Sequence, residues 1–350
     1  MSDKKFSVLI PFLNEKEEVG KTVKSVRDTA GDKVDIVVVN DCSQDGYDYK
    51  ADLEPYNVRY YETDHRIGSS AGKQMCVDLC ETPYFIILDA HCRFYTENWL
   101  DIAIDIMENG EDSDKTVYCC ACWYFHNDND HQSPTHMKAW GGYFDYNIKS
   151  ILSCGWNCNN FTLNEGNVPF DIPCLLGANY ISSKKWWDYI GGYKGLMLYG
   201  REEPFISIKS KMAGGCVKAI PSICTGHKTR PNNRQPYPCY CYEIAHNEMV
   251  IAYICLPEKF EKLMTVWDSL YSANPAIFTD AQRLFKSHID ELVQLREDFQ
   301  KIKKVEHSEL DKFNAEFQKR IGFNYQRLKK QIEGTYTKYK SDKKISFNMG

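Results

Sequence analysis

Long apolar runs are missing from this sequence. No stretch approaches the roughly 20 apolar residues needed to span a bilayer. The opening MSDKKFSVLIPF has no separate apolar segment ahead of its first β-branched run. Neither a membrane span nor a signal peptide is therefore expected. A working P-loop is missing too: GSSAGK (68–73) is one residue short of that spacing, and Gln74 stands where a magnesium-binding Ser or Thr is needed, which argues against NTPase chemistry. Cysteine is abundant, with fifteen in the chain, but zinc-knuckle spacing is lacking where the cysteines lie outside apolar runs. Cys154/Cys158 and Cys239/Cys241 are C-x3-C and C-x-C rather than C-x2-C. An odd count, with Cys119, Cys120 and Cys122 inside an apolar run, predicts free thiols in a reducing compartment. Internal repeats are absent.

What is present is an ordinary soluble composition, 43% hydrophobic and 26% charged over 350 residues, enough for one large core with an appendage. Tyrosine (23) and phenylalanine (17) offer aromatic surface for ligands as well as packing. The net charge of −5 is unevenly spread: residues 301–350 hold 13 Lys+Arg against 6 Asp+Glu. An acidic body thus carries a basic tail, read as a solvated helix face or as a contact for a polyanionic acceptor.

The first third alternates strand and helix patterns. Strands are expected at Phe6–Pro11, Val34–Asn40, Asn57–Tyr61 and Pro83–Asp89, with helices over Glu15–Thr29, from an Ser70 N-cap to Cys80, and over Asn98–Met107. Continuous apolar strands between amphipathic helices predict an α/β fold with a mostly parallel, doubly covered sheet. Such sheets bind ligands beyond the carboxyl ends of their strands, where Asn14, Glu15, Asp41, Asp89 and His91 all fall. Residues 126–172 read as irregular structure with short strands. From about Thr279 the pattern is helical: Phe285, Ile289, Leu292, Leu295, Phe299 and Ile302 form one apolar stripe, and Leu310, Phe313, Phe317 and Ile321 another. We place the main domain at 1–257 and a helical extension with the basic tail at 258–350.

FIILDAHCRF (85–94) carries the first chemistry. A buried-type strand ends on Asp89, with His91 two residues on. In an extended segment these project to one side and can grip one ion, and their oxygen–nitrogen donor set suits a borderline divalent metal such as manganese better than calcium. The bland alternative is a turn-capping Asp beside a packed His. His227, after an apolar run Val217–Ile223 and a glycine, is available as a third ligand.

Taken in order, these segments resemble the nucleotide-sugar glycosyltransferases of GT-A fold, in the family-2-like group, and particularly the polypeptide N-acetylgalactosaminyltransferases. VLIPFLNEKEEVGKTVKSV looks like that family's first strand and helix, and IVVVNDCSQD its second strand. DHRIGSSAGKQ is similar to its Arg-Gly loop, LDAHCRFYTENWL to its Asp-x-His strand, GGYKGLMLYGREEPFISIKSKMAGG to its Gly-Gly-Glu-Asn block, and IPSICTGHKTR…PYP to its Gly-His segment. The matches keep their order over roughly residues 6–255.

The resemblance implies a Rossmann-like GT-A domain using a UDP-sugar donor and a divalent metal, Mn or alternatively Mg, held by Asp89, His91 and His227. On the donor side it implies Pro11, Asn14, Glu15, Asp41 (uracil or ribose), Arg66 and Lys73. It adds Gly177 and Ala178 at a tight turn near the sugar, Tyr199, Arg230 on phosphate, and Tyr237. It makes Glu202 the carboxylate near the acceptor hydroxyl, with Glu203 beside it as the second catalytic candidate. Glu203 stands where the family has Asn, Arg201 where it has Gly, Tyr199 where it has Trp, and Lys73 where it has Arg. These departures leave the acceptor side open.

The expected function is transfer of a hexose or N-acetylhexosamine (from UDP-GalNAc, UDP-GlcNAc, or UDP-Glc/Gal) to an acceptor hydroxyl, with retention implied by the resemblance and inversion through Glu202 or Glu203 the other course. Acceptors considered are a protein, a glycan, a small molecule or a modified DNA base. With neither a lectin-like domain nor an anchor in sight, a cytoplasmic, microbial or phage-type enzyme is expected rather than a Golgi mucin-type one. The competing class is a non-catalytic nucleic-acid-binding or scaffold protein on the same fold. A nucleotidyltransferase would need an N-terminal glycine-rich loop that this chain lacks.

Overall fold

Val34–Asn40 (VDIVVVN) is β-branched at five of its seven positions, which favours extended backbone, and it forms the buried strand β2. It lies in a computed structural model of the chain that describes residues 4–127, 138–147, 150–158, 168–230 and 235–321. Before it come β1 (Phe6–Phe12) and α1 (Glu17–Ala30); after it α2 (Tyr49–Leu53), β3 (Arg59–Glu62), α3 (Ser69–Asp78), β4 (Tyr84–Leu88), β5 (Cys92–Phe94), α4 (Trp99–Asn109) and β6 (Thr116–Phe125). The middle of the chain supplies β7 (Lys138–Ala139), β8 (Gly142–Asn147), β9 (Ser150–Trp156), β10 (Phe170–Asp171), β11 (Asn179–Ser183), α5 (Lys184–Tyr189), α6 (Glu202–Met212) and β12 (Cys216–Lys228). Helices α7 (Cys241–Cys255), α8 (Phe260–Leu270), α9 (Pro275–Ser287), α10 (Ile289–Ile302) and α11 (His307–Arg320) follow.

The main sheet runs β10-β12-β6-β11-β4-β1-β2-β3. β4, β1, β2 and β3 are mutually parallel, with Phe6 opposite Val34 and Tyr84. β11 is antiparallel to both neighbours, β4 and β6. The sheet is therefore mixed but mostly parallel, as the alternating pattern predicts. Apolar strands bury both faces: Val8, Leu9, Ile10, Val37, Val38, Ile86 and Ile87 are all fully buried.

Three local expectations change. Helix α3 begins at Ser69 with Gly68 in the capping position, not Ser70. Gly68 sits at φ 92°, and a Cβ there would lie 2.1 Å from Leu198 Cα, so the turn is decided by a close backbone approach rather than by a hydroxyl cap. Strand β4 stops at Leu88, so Asp89–His91 is a turn, closed by the Cys92 N–H on Asp89 O at 3.2 Å. The apolar stripe from Phe285 to Ile302 is shared by two helices that meet at His288.

The segment 126–172 contributes the β8–β9 hairpin and short pieces of sheet; its residues 128–137, 148–149 and 159–167 lie outside the described residues. So do residues 322–350, and with them most of the basic tail. The described C-terminal helices lie on the body: the Gln300 amide donates to Ile254 O at 2.9 Å, and the Lys304 and Val305 N–H groups both reach Met212 O. Among the described residues no helix is long and apolar enough to cross a membrane. All fifteen cysteines are free.

Candidate active site

The turn at Asp89–His91 is pinned from both sides. Thr22 Oγ1 donates to Ala90 O at 2.8 Å and accepts the Cys92 N–H at 3.1 Å. The Asp89 N–H reaches Ala178 O at 2.9 Å. Ala178 follows Gly177 and holds φ 93°, a conformation that residues with a Cβ rarely adopt and that clusters at functional sites. His227, near the end of β12, arrives opposite Cys92 through antiparallel pairing of β12 with β5.

These constraints bring Asp89, His91 and His227 together, with one ligand atom of each within 4.8 Å of the others. The two Nε2 atoms are 3.1 Å apart, and Asp89 Oδ2 is 3.5 Å from His227 Nε2. The set fits a borderline divalent ion. Behind it, Glu15 Oε1 lies 3.3 Å from His91 Nδ1 and is paired with Arg230. Arg230 Nη2 also lies 3.2 Å from His91 Nδ1, so both groups hold the ring with Nε2 toward the other two ligands. Burial would raise the Asp89 pKa, but Lys73, His227 and His91 outweigh it and hold the carboxylate well below its usual range. Burial lowers the His227 pKa against the pull of Asp89, which favours the neutral, ligating imidazole.

The triad sits in a cleft of about 860 Å³. Of the sequence-predicted residues, Pro11, Glu15, Asp41, Arg66, Lys73, Asp89, His91, Gly177, Ala178, Tyr199, Glu202, Glu203, His227, Arg230 and Tyr237 all line it. Asn14 does not: its side chain accepts the Gln44 N–H and donates to Pro236 O, tying two loops at the rim. Asp41 spends both oxygens on backbone, accepting the Ile67 N–H at 2.6 Å and the Gly68 N–H at 2.8 Å, so it shapes the Arg66 loop as well as facing the cleft. Arg66 pairs with buried Glu243 at 3.3 Å and lies over the Tyr237 ring. Its buried Nε has no partner.

Lys73 is 5% exposed, lies 3.8 Å from Asp89 Oδ1 and rests over the Tyr180 ring. Burial would lower its pKa, but Asp89, Glu202 and Glu203 outweigh that and raise it, so Lys73 is a fixed cation. Glu202 and Glu203 are not in extended backbone. They open helix α6, which places both at the cleft. Neither pairs with Arg201 or Lys209: Arg201 goes to Glu248, and Lys209 donates to Gly192 O. Glu203 accepts the Tyr180 hydroxyl at 2.9 Å, and burial followed by its neighbour Glu202 raises its pKa. Glu202 is 4% exposed.

Sequence reasoning passed over Tyr124 and Trp156, which stack with ring centroids 5.3 Å apart and line the cleft beside His227. Trp156 lies in the weakly periodic stretch, where no pattern marks a side chain as facing a site. Tyr124 sits in a continuous apolar strand and reads as core.

The model for "Glycosyl transferase family 2" matches residues 7–170. Human polypeptide N-acetylgalactosaminyltransferase 10 is 28% identical over 232 residues, covering 63% of this chain and 37% of that protein. Polypeptide N-acetylgalactosaminyltransferase 11 of Xenopus tropicalis is 26% identical over 271 residues, covering 72% and 43%. The chain thus spans less than half the length of these relatives. Among solved structures, GalNAc-T7 with UDP, GalNAc and Mn2+ superposes with a TM-score of 0.69 at 19% identity, covering 90% of this chain and 58% of that one. The chain has the GT-A glycosyltransferase fold and is similar in sequence to the polypeptide N-acetylgalactosaminyltransferases, with residues 7–170 matching the family-2 model.

Proposed function

We propose that this protein transfers a sugar from a UDP-sugar to an acceptor hydroxyl, with a divalent cation, manganese or magnesium, held by Asp89, His91 and His227. The observation that carries the reading is the convergence of these three residues, from two distant parts of the chain, inside one cleft with Lys73, Arg230 and Glu202. The solved relative that binds UDP, GalNAc and Mn2+ supports the donor and metal classes.

In the transfer, the bond between the anomeric carbon and the diphosphate oxygen breaks and its electron pair leaves with the diphosphate. The acceptor oxygen bonds to the anomeric carbon and loses its proton. The cation supplies charge neutralisation to the leaving diphosphate. The chain's own residues do the rest. Lys73 and Arg230 offer fixed positive charge on the donor side, Asp41 and Arg66 shape the nucleoside end, and Gly177–Ala178 lets backbone approach the sugar. Glu202 positions the acceptor hydroxyl or receives its proton. A hexose or N-acetylhexosamine donor fits these groups; the acceptor is a protein, a glycan or a modified nucleobase.

The test is a panel of UDP-sugars assayed for metal-dependent hydrolysis, which needs no acceptor. Release of UDP from one of them, abolished by chelation, supports the reading. No UDP release and no metal-dependent UDP binding would favour a scaffold on a catalytically silent fold.

A further inference from the structure

The loop Met197–Arg201, which leads into Glu202, has unfavourable backbone: Leu198 at φ 56° and Arg201 at φ 74° are both left-handed without being glycine, with Gly200 at φ 98° between them. Residues with a Cβ keep such angles only where surrounding contacts over-determine them. The contacts come from two consecutive residues of α7. Asn247, fully buried, accepts the Met197 N–H at 3.1 Å and donates to Met197 O at 2.9 Å, Tyr199 O at 3.3 Å and Gly200 O at 2.8 Å. One side-chain amide thereby holds Met197, Tyr199 and Gly200, while Leu198 between them is bonded through its backbone to Ile67 and Ser70. Glu248, 1% exposed, accepts Arg201 Nε at 2.8 Å on one oxygen and the Trp267 indole N–H at 2.8 Å on the other. A buried carboxylate is costly unless so paired, and Arg201 supplies the charge.

We propose that Asn247 and Glu248 are positioning residues for Tyr199 and Glu202, and that through them the C-terminal helices set the geometry of the site. Trp267 belongs to α8, and α9 and α10 pack on α7. One route from the C-terminal helices to Glu202 therefore passes through this pair and the backbone it holds, at the N-terminal end of α6, while α11 packs on the body of that helix. Arg201 is the residue that makes the Glu248 link, and it stands where the resembled block has glycine.

The effect on turnover rests on the proposed glycosyl transfer, whereas the effect on the loop does not, and the experiment reads the two separately. Hydrogen exchange of amides 198–203 is measured in the free protein for the wild type, Arg201→Gly and Asn247→Asp. Glycine is at ease at φ 74°, so Arg201→Gly removes the tether while relieving the backbone. Asn247→Asp keeps an acceptor for the Met197 N–H and removes the donors. Both should speed exchange in this segment and leave amides of β1 and β2 unchanged. On the UDP-sugar that the wild type hydrolyses, kcat should fall at least ~10-fold with KM within about 3-fold, the mark of a misplaced group rather than lost binding. Arg201→Lys, which keeps a cation for Glu248, should recover part of kcat. Wild-type exchange in Arg201→Gly would overturn the proposal, whatever the enzyme assay shows. A wild type inert toward every UDP-sugar would count against the proposed function, leaving the exchange result to decide the clamp.

Discussion

His91 Nε2 and His227 Nε2 face each other at 3.1 Å across 136 residues of chain. One is held by a turn after β4 and the other by the end of β12, so the pair reports the closure of the sheet around the site as well as its chemistry. With Asp89 beside them they form a donor set that a divalent ion would bridge.

Chelation should therefore abolish UDP-sugar hydrolysis, and readdition of Mn2+ should restore it. His91→Ala and His227→Ala should each weaken metal-dependent UDP binding, measured calorimetrically, by roughly 10-fold or more. Undiminished turnover in excess chelator would rule the metal reading out.

Glu202 and Glu203 should separate by mutation although both open the same helix. Glu202→Gln should retain UDP-sugar affinity and lose ~10²–10⁴ in kcat, the usual worth of a positioned acid–base group. Glu203→Gln should lose less, since its carboxyl is engaged by Tyr180. Steady-state kinetics on both variants decide, and equal small losses would move the catalytic carboxylate elsewhere.

Gly68→Ala should destabilise the protein by about 3 kcal/mol, because its Cβ has no room and the φ is wrong for alanine. The clash is with the backbone of Leu198, which cannot rotate away. Urea unfolding measures the loss, and a change under about 0.5 kcal/mol, the range of ordinary surface substitutions, would contradict the described approach of the two loops.

Glu18 links α1 to β5 and β12 through Arg93 at 2.7 Å and Lys228 at 2.6 Å. Burial acts to raise its pKa, but the hydrogen bonds from Lys228 and Arg93 outweigh it and bring the value down to about 2. A folded-state pKa below the unfolded one gives stability that is fully present above about pH 4.5 and is lost as pH falls toward 2. Glu18→Gln should flatten that part of the stability-versus-pH curve. An unchanged acid slope in the variant would show that other carboxylates govern it.

Alkylation without reductant after unfolding should modify all fifteen cysteines. In the native protein Cys239 and Cys241, both exposed, should react first. Mass spectrometry reads both, and protected pairs in the unfolded sample would mean disulfides.

Much of this was legible locally. β-branched runs between amphipathic helices specify a mostly parallel sheet, because strand backbone and two-faced burial are short-range demands, and Val34–Asn40 appears with the bounds its pattern predicts. Asp89 and His91 could be singled out as a pair because polar residues at the end of an apolar strand are out of place in a core. His227 could be offered locally as a third ligand, after an apolar run and a glycine, but only the family resemblance tied it to them, since nothing local links residues so far apart. Other features were decided by tertiary packing alone. Ser70 loses the capping position because Gly68 must admit the backbone of Leu198. Asp89 and His91 converge through a turn pinned by Thr22, not through strand alternation. Asn247 and Glu248 read as ordinary polar positions on a helix, because a side chain's worth as a clamp depends on which loop folds against it. Short-range chemistry is written in neighbouring residues, while a site assembled from remote segments exists only once the sheet has closed.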